Sequence, residues 1–273
     1  MPELPEVETV VRTLEKLIKN EEIIDVKIYW DNIIVGDIDE FKTKLIGQYF
    51  NDFKRRGKYL LFKLDNYYLM SHLRMEGKYF VFDDARSKDK HSHVIFTFKS
   101  GRQLHYNDTR KFGKMELLAG DLDIKNIKGL GPEPFDDDFN LAYVRSVASK
   151  FKGPIKQLIL DQHFVAGVGN IYADEILFEM AIDPESPANK LSDEDFNNMI
   201  VATRKILTKA IADGGTTIRS YTSSLGVSGR FQLSLNVHQR VNEKCKRCGG
   251  IILKKTVKTR GTYYCKKCQK LKK

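Results

Sequence analysis

The chain holds four cysteines, as Cys245-x2-Cys248 and, after sixteen intervening residues, Cys265-x2-Cys268. Nothing else in the sequence constrains local folding as tightly. Each Cys-x2-Cys can turn as a knuckle that presents two sulfurs, and two knuckles close a tetrahedron around one structural Zn2+. Disulfides are disfavoured by the absence of a secretion signal, and thiol redox chemistry by the doubling of the motif. The same stretch concentrates charge. From Arg240 to Lys273 there are 13 Lys or Arg against the single acid Glu243, a net of +12, which leaves the first 239 residues near −2 within a formal total of +10. A polyanion such as nucleic acid is a natural partner for such a module, although a merely solubilising surface is the plain alternative.

The other end of the chain is as unusual. It opens Met1-Pro2-Glu3-Leu4-Pro5-Glu6. Cytosolic processing removes an initiator Met ahead of proline, which would leave Pro2 with a free secondary amine. An α-amino group titrates near ~8, so a useful fraction is unprotonated at neutral pH and can attack an aldehyde-like carbon. A secondary amine condenses to an iminium with no N–H proton to lose, an electron sink at any pH. Glu3 is placed to protonate a leaving group or to hold a sugar ring oxygen. The bland reading is that Pro5 and the acids Glu3, Glu6 and Glu8 simply suit a helix start.

Between these ends the pattern divides. Val7, Val10, Val11, Leu14, Leu17 and Ile18 recur at helical spacing, so the amine should sit at the mouth of a helix. From Glu22 to Leu118 strands are expected at 59–64, 67–73, 78–82, 93–98, 103–106 and 114–118, enough for a β-sandwich or flattened barrel. Gly129, Gly131, Pro132 and Pro134 mark a linker. Helices are expected at 138–150, 154–160, 171–180 and 193–212, the last with Ser192 as N-cap. The turn Gly167-Val168-Gly169-Asn170 can deliver amides and Asn170 to a helix start, a seat for phosphate, or it is a plain connection. A Gly, Ser and Thr-rich stretch from 213 to 234 reads as a functional or disordered loop. At 273 residues and 41% hydrophobic content, with no apolar run of spanning length, a cytoplasmic protein with two modest domains and an appendage is expected. The fold class is therefore α+β and multidomain, divided at 1–130, 131–237 and 238–273.

Taken together, PELPEVETV, Gly57-Lys58-Tyr59-Leu60-Leu61, His72-Leu73-Arg74-Met75-Glu76-Gly77, Asp108-Thr109-Arg110-Lys111-Phe112-Gly113, Gly167-Val168-Gly169-Asn170-Ile171-Tyr172-Ala173 and Tyr264-Cys265-x2-Cys268-Gln269-Lys270 resemble, in order and over essentially the whole chain, the bacterial formamidopyrimidine-DNA glycosylase family. The resemblance implies an N-terminal β-sandwich with an N-terminal helix, a helix-two-turns-helix domain and a zinc finger, with DNA held in the cleft between the halves. It implies base-excision repair of oxidised purines in duplex DNA, chiefly 8-oxoguanine and ring-opened formamidopyrimidines, through a Schiff base followed by β,δ-elimination at the resulting abasic site. Pro2 then resembles the nucleophile, Glu3 the acid assisting base departure, Lys58 the proton donor for β-elimination and Arg260 the group serving δ-elimination.

Met75, Arg110 and Phe112 match the family's trio that fills the void left by a flipped base. His91, Lys152 and Asn170 match its DNA contacts, and His72 and Lys156 are expected additions. Thr217 to Ser224 resembles the flap over the lesion, with Glu76 at the pocket edge. A monomer is expected. One stretch departs from the pattern: where members commonly enter the finger through Val-Tyr-Gly followed by a further glycine and proline, this chain has Val237-His238-Gln239-Arg240-Val241-Asn242-Glu243-Lys244. That places the hinge of the finger, and with it Arg260, in question. Two other readings compete: a sibling glycosylase for oxidised pyrimidines, which lacks the Arg-x-Phe pair, and a non-catalytic zinc-ribbon DNA-binding protein.

Overall fold

The computed structural model describes residues 1–216 and 230–273, in two compact units: Met1–Ile124 with residues 214–216, and Lys125–Asp213 with Arg230–Lys273. The first unit begins with α1 (Leu4–Ile18), whose first turn carries Pro5 and whose Leu4, Val7, Val10, Val11, Leu14 and Ile18 are buried. Nine strands follow: β1 (Ile23–Ile28), β2 (Ile34–Val35), β3 (Asp52–Arg56), β4 (Tyr59–Lys63), β5 (Tyr67–His72), β6 (Lys78–Phe82), β7 (Ser92–Phe98), β8 (Gln103–Asn107) and β9 (Lys114–Ala119). They form one sheet of order β1-β7-β8-β6 and another of order β2-β9-β5-β4-β3. A short helix, α2 (Ile38–Leu45), intervenes between β2 and β3. Asp37 caps it by accepting from the Glu40 N–H at 2.7 Å, a start signal that the strand-dominated pattern around it obscured.

One core joins the stripe of α1 to both sheets. Phe62 of β4 meets Tyr79 of β6 edge to face at 5.9 Å, and Phe50 touches Phe62, Phe96 and Phe98. Each fully buried aromatic contributes roughly 2–3 kcal/mol of apolar transfer, so this cluster is a principal reason the sheets stay together. Between β3 and β4, Arg56 pairs with Tyr59, leaving Gly57-Lys58 as a two-residue turn. Gly57 takes φ +57°, the left-handed first position such turns require, and Lys58 is thereby fixed at the sheet's end.

The second unit holds α3 (Leu141–Ala148), α4 (Ile155–Leu160), α5 (Asn170–Glu179), α6 (Asp193–Ala212) and the hairpin β10 (Ile252–Val257) and β11 (Arg260–Cys265). Helix α3 starts later than its apolar pattern suggests, because Asn140 caps it by accepting from the Tyr143 N–H at 3.0 Å. Ser192 caps α6 in a reciprocal box with Asp195, as its sequence implies. Helix α5 is buried on every face from Ile171 to Phe178 and is the hub of the unit. Phe178 packs with Val237, Cys245, Ile252 and Cys265, so the cysteine module is built onto this helix.

Candidate active site and metal centre

At the amino end, Pro2 and Glu3 are buried and Met1 is exposed. Glu6 reaches back to accept from the Glu3 N–H at 2.9 Å, which stops the first turn from fraying. Its other oxygen accepts from the Thr216 N–H at 2.8 Å and the Thr216 hydroxyl at 3.0 Å. Gly215, at φ +77°, comes so close that a Cβ there would lie 2.8 Å from the Glu6 Oε1. The chain start and the residues leading into 217–229 are thus tied to one carboxylate.

The same region sets the charge around the terminus. Burial lowers the pKa of the Met1 amine; the carboxylates of Glu3, Glu6 and Glu76 oppose that shift, and the Lys58 ammonium reinforces it. A partly desolvated amine beside carboxylates and one ammonium can act as a nucleophile with acids at hand. His72, on β5, is pushed down to about 3 by burial and by the charges of Arg74 and Lys58, so it is neutral. Its Nδ1 accepts from the Arg74 N–H at 2.9 Å, which leaves the proton on Nε2 as a donor.

Two turns beyond the strands carry the expected void-filling residues. Met75 is 37% exposed and Phe112 50% exposed, an unusual display of apolar surface for side chains flanked by core strands. The Arg110 guanidinium stacks over the Phe112 ring at 4.8 Å. What organises this turn is Asp108, fully buried, whose Oδ1 accepts from the Arg110 N–H at 2.9 Å and whose Oδ2 accepts from Phe112 and Gly113 at 2.9 and 2.8 Å. Lys111 takes φ +58° at its apex. Asp108 is a positioning residue that attention to cations and aromatics passed over; an aspartate opening a turn that ends in glycine was its signal. Glu76 hydrogen-bonds Thr109, and with Lys78, Phe80, His91 and Asn107 these two line a cavity of about 170 Å³.

In the second unit, Gln162 shapes the loop before α5. Its amide donates to Leu160 and Val168 carbonyls at 3.1 and 2.8 Å and accepts from the Gly167 N–H at 2.9 Å, while Gly167 takes φ +89°. Asn170 is thereby presented at the helix start, where its Nδ2 donates to the Gly261 carbonyl at 2.9 Å. Lys152 is exposed, and so is Arg260 at the start of β11. Lys156 stands otherwise than expected of a DNA contact: it is 1% exposed, with its ammonium on Asp174 at 2.7 Å and on the Thr262 hydroxyl at 2.8 Å. The proposed flap, Thr217 to Ser224, lies outside the described residues.

The sulfurs of Cys245, Cys248, Cys265 and Cys268 all lie within 4.8 Å of one another, with Cys245 to Cys268 at 3.8 Å and Cys248 to Cys265 at 3.5 Å. Tetrahedral Zn–S bonds of about 2.3 Å require sulfur separations of about 3.8 Å, so the set fits one structural zinc. A backbone N–H from Gly250 leads the interactions that lower the Cys248 thiol to about 7, whereas burial raises those of Cys265 and Cys268, so it is the geometry of the four sulfurs that carries the fit. The departure in the entry segment is accommodated rather than disruptive. Glu175 of α5 accepts from the N–H groups of Asn236, Val237 and His238 at 2.8 to 2.9 Å, and Gln239 adopts φ +60°, the conformation glycine would otherwise supply.

Comparison with known proteins gives a consistent picture. Residues 1–115 match the formamidopyrimidine-DNA glycosylase N-terminal domain, 130–222 the H2TH domain of the same family, and 242–271 a zinc finger found in FPG and IleRS. The chain is 47% identical to a formamidopyrimidine-DNA glycosylase of Bacillus subtilis, covering 98% of this chain and 99% of that one. It is 46% identical to one of Ligilactobacillus salivarius, covering both chains fully. Among solved structures it superposes with TM-score 0.93 and 40% identity on Lactococcus lactis Fpg in complex with abasic-site DNA, over 98% of this chain and 99% of that one. A G226P mutant of the same Lactococcus enzyme bound to Fapy-dG DNA matches equally, at TM-score 0.93 and 40% identity over 98% of this chain and all of that one.

Proposed function

The chain belongs to the formamidopyrimidine-DNA glycosylase family, and from that premise we propose that it excises oxidised purines from duplex DNA and then cleaves the strand, with Pro2 as nucleophile. One observation carries the assignment: the chain's amino group lies within electrostatic reach of Glu3, Glu6, Glu76 and Lys58, and partial desolvation lowers its pKa. That environment suits Pro2 once Met1 is removed. The amine attacks C1′ of a flipped-out nucleotide, because a scissile bond inside the stack is out of reach. Glu3 protonates the opening sugar, the base departs, and an iminium joins C1′ to Pro2.

The iminium then makes the C2′ proton acidic. Its loss drives electrons to break C3′–O3′, and Lys58 supplies a proton to the departing phosphate. A second proton loss, from C4′, sends electrons through the conjugated iminium to break C5′–O5′, and Arg260 receives that phosphate. Met75 and Phe112 wedge into the void and Arg110 pairs with the widowed cytosine, at an unstacking cost of a few kcal/mol that contacts from His72, His91, Lys152 and Asn170 to phosphate offset. The neutral His72 donates through Nε2. A monomer in the cytoplasm of a bacterium is the setting that fits. Borohydride added to protein and an 8-oxoguanine·cytosine duplex should trap a covalent adduct that Pro2→Gly abolishes. A wild-type protein that binds this DNA without ever cross-linking would reduce the reading to a binding module.

A further inference from the structure

The buried cluster on α5 is not used by the steps above. Asp174 is fully buried and collects partners from three other elements. Its Oδ1 accepts from the Lys156 ammonium of α4 at 2.7 Å. Its Oδ2 accepts from His238 Nδ1, in the segment entering the finger, at 2.7 Å, and from the Tyr263 N–H of β11 at 3.3 Å. Lys156 passes the connection onward to the Thr262 hydroxyl at 2.8 Å and the Gly261 carbonyl at 3.3 Å. Thr262 in turn donates to the Arg260 carbonyl at 2.9 Å, and Asn170, on the same helix as Asp174, grips the Gly261 carbonyl at 2.9 Å. An unbroken chain of hydrogen bonds therefore runs from Asp174 through Lys156 and Thr262 to the backbone of Arg260.

We propose that Asp174 is a positioning residue for strand cleavage, which with Lys156, Thr262 and His238 aims Arg260 at the second phosphate. The inference rests on the reading of the reaction given above. Arg260 itself is exposed at the head of a hairpin, and among the described residues no hydrogen bond or ion pair holds its side chain, so its own backbone sets its aim. Gluing a hairpin to a helix needs only apolar contact, and a buried ion pair is a poor way to gain stability over such contact. What a saturated polar network adds is a single permitted register, because any slip leaves a buried charge without its partner. The apolar contact already exists beside it, in Phe178, Val237, Ile252 and the cysteines. The network instead ends on the two residues that flank and include Arg260.

Asp174→Asn keeps the shape of the side chain and removes its charge. On a duplex with a preformed abasic site, this variant should form the borohydride-trapped adduct within about twofold of wild type and release the β-elimination fragment at the same rate. The δ-elimination product, the 3′-phosphate end, should fall at least about tenfold relative to it, because only the second bond scission depends on Arg260. Zinc stoichiometry, measured on the same sample, separates aiming from loss of the finger. If the variant does not retain zinc, Thr262→Val, which deletes one link alone, decides by the same product ratio. A zinc-replete Asp174→Asn, or failing it Thr262→Val, with an unchanged δ-to-β ratio overturns the proposal while leaving the Schiff-base reading intact. A wild-type protein that never traps overturns that reading, and this one with it.

Discussion

Asp108→Asn tests whether the void-filling turn works because it is prebuilt. The substitution keeps Oδ1 for the Arg110 N–H but can place an N–H2 where Oδ2 receives Phe112 and Gly113. Two charge-assisted hydrogen bonds are lost, each worth about 1.5–3 kcal/mol. The Gly113 N–H is buried and the Phe112 N–H partly so, and relaxation of the turn toward water recovers part of the loss. A net local cost of about 3 kcal/mol is expected, which lowers the ratio of built to relaxed turn by about a hundredfold. If Phe112 is the wedge proposed above, excision of 8-oxoguanine should fall about ten- to a hundredfold under single-turnover conditions. An abasic site has no base to unstack, so cleavage there should fall by less than about fivefold. Urea denaturation should show a smaller global loss, since neither sheet is touched. Excision within about twofold of wild type, or equal losses on both substrates, would show that the Asp108 turn does not prepare the wedge.

His72 gives a pH signature. It is neutral in the folded protein down to about 3, while an unfolded histidine takes a proton near 6.5. Stability is therefore complete above 6.5 and declines as pH falls toward 3, by about 2 kcal/mol between pH 6.5 and 5. His72→Asn, which keeps an acceptor for Arg74, should lack that component in urea titrations at pH 7.5 and 5.0; parallel losses in both proteins would reject it. Gln239 holds a left-handed conformation at φ +60°, which costs a non-glycine residue about 1 kcal/mol. Gln239→Gly should raise the melting temperature of the zinc-loaded protein, and a decrease would mean that the side chain earns its place by contacts of its own. Chelation, or Cys245→Ser, should weaken DNA binding at least about tenfold and flatten its salt dependence, because the basic excess rides on that module. Unchanged affinity after verified zinc loss would contradict this.

The parts of the molecule visible in the sequence are those whose physics is local. The stripe of α1, the Ser192 cap of α6 and the Cys-x2-Cys pairs are each specified within a few turns of chain, and each is found in place. Helix α2 escaped because its eight residues lie between strands and its cap is an ordinary Asp37. Lys156 shows the harder limit. A lysine after a glycine and proline looks like a solvent-facing cation, and only the tertiary approach of Asp174, eighteen residues on, and Thr262, far along the chain, buries it. Asp108 was hidden for a related reason: its function is to hold backbone N–H groups, and the sequence marks that only weakly, by an aspartate that opens a turn ending in glycine. The missing glycine at Gln239 was visible as a departure, but the Glu175 carboxylate that holds the residues before it lies far back in the chain, on α5.

The most direct test of the account is to locate the covalent bond. Enzyme trapped by borohydride on an abasic duplex should be digested and the DNA-modified peptide sequenced by mass spectrometry. The account predicts one adduct, on the nitrogen of Pro2, in a peptide that begins with proline because Met1 is gone. An adduct mapped to Lys58 or another lysine, or active enzyme whose intact mass still includes Met1, would contradict it.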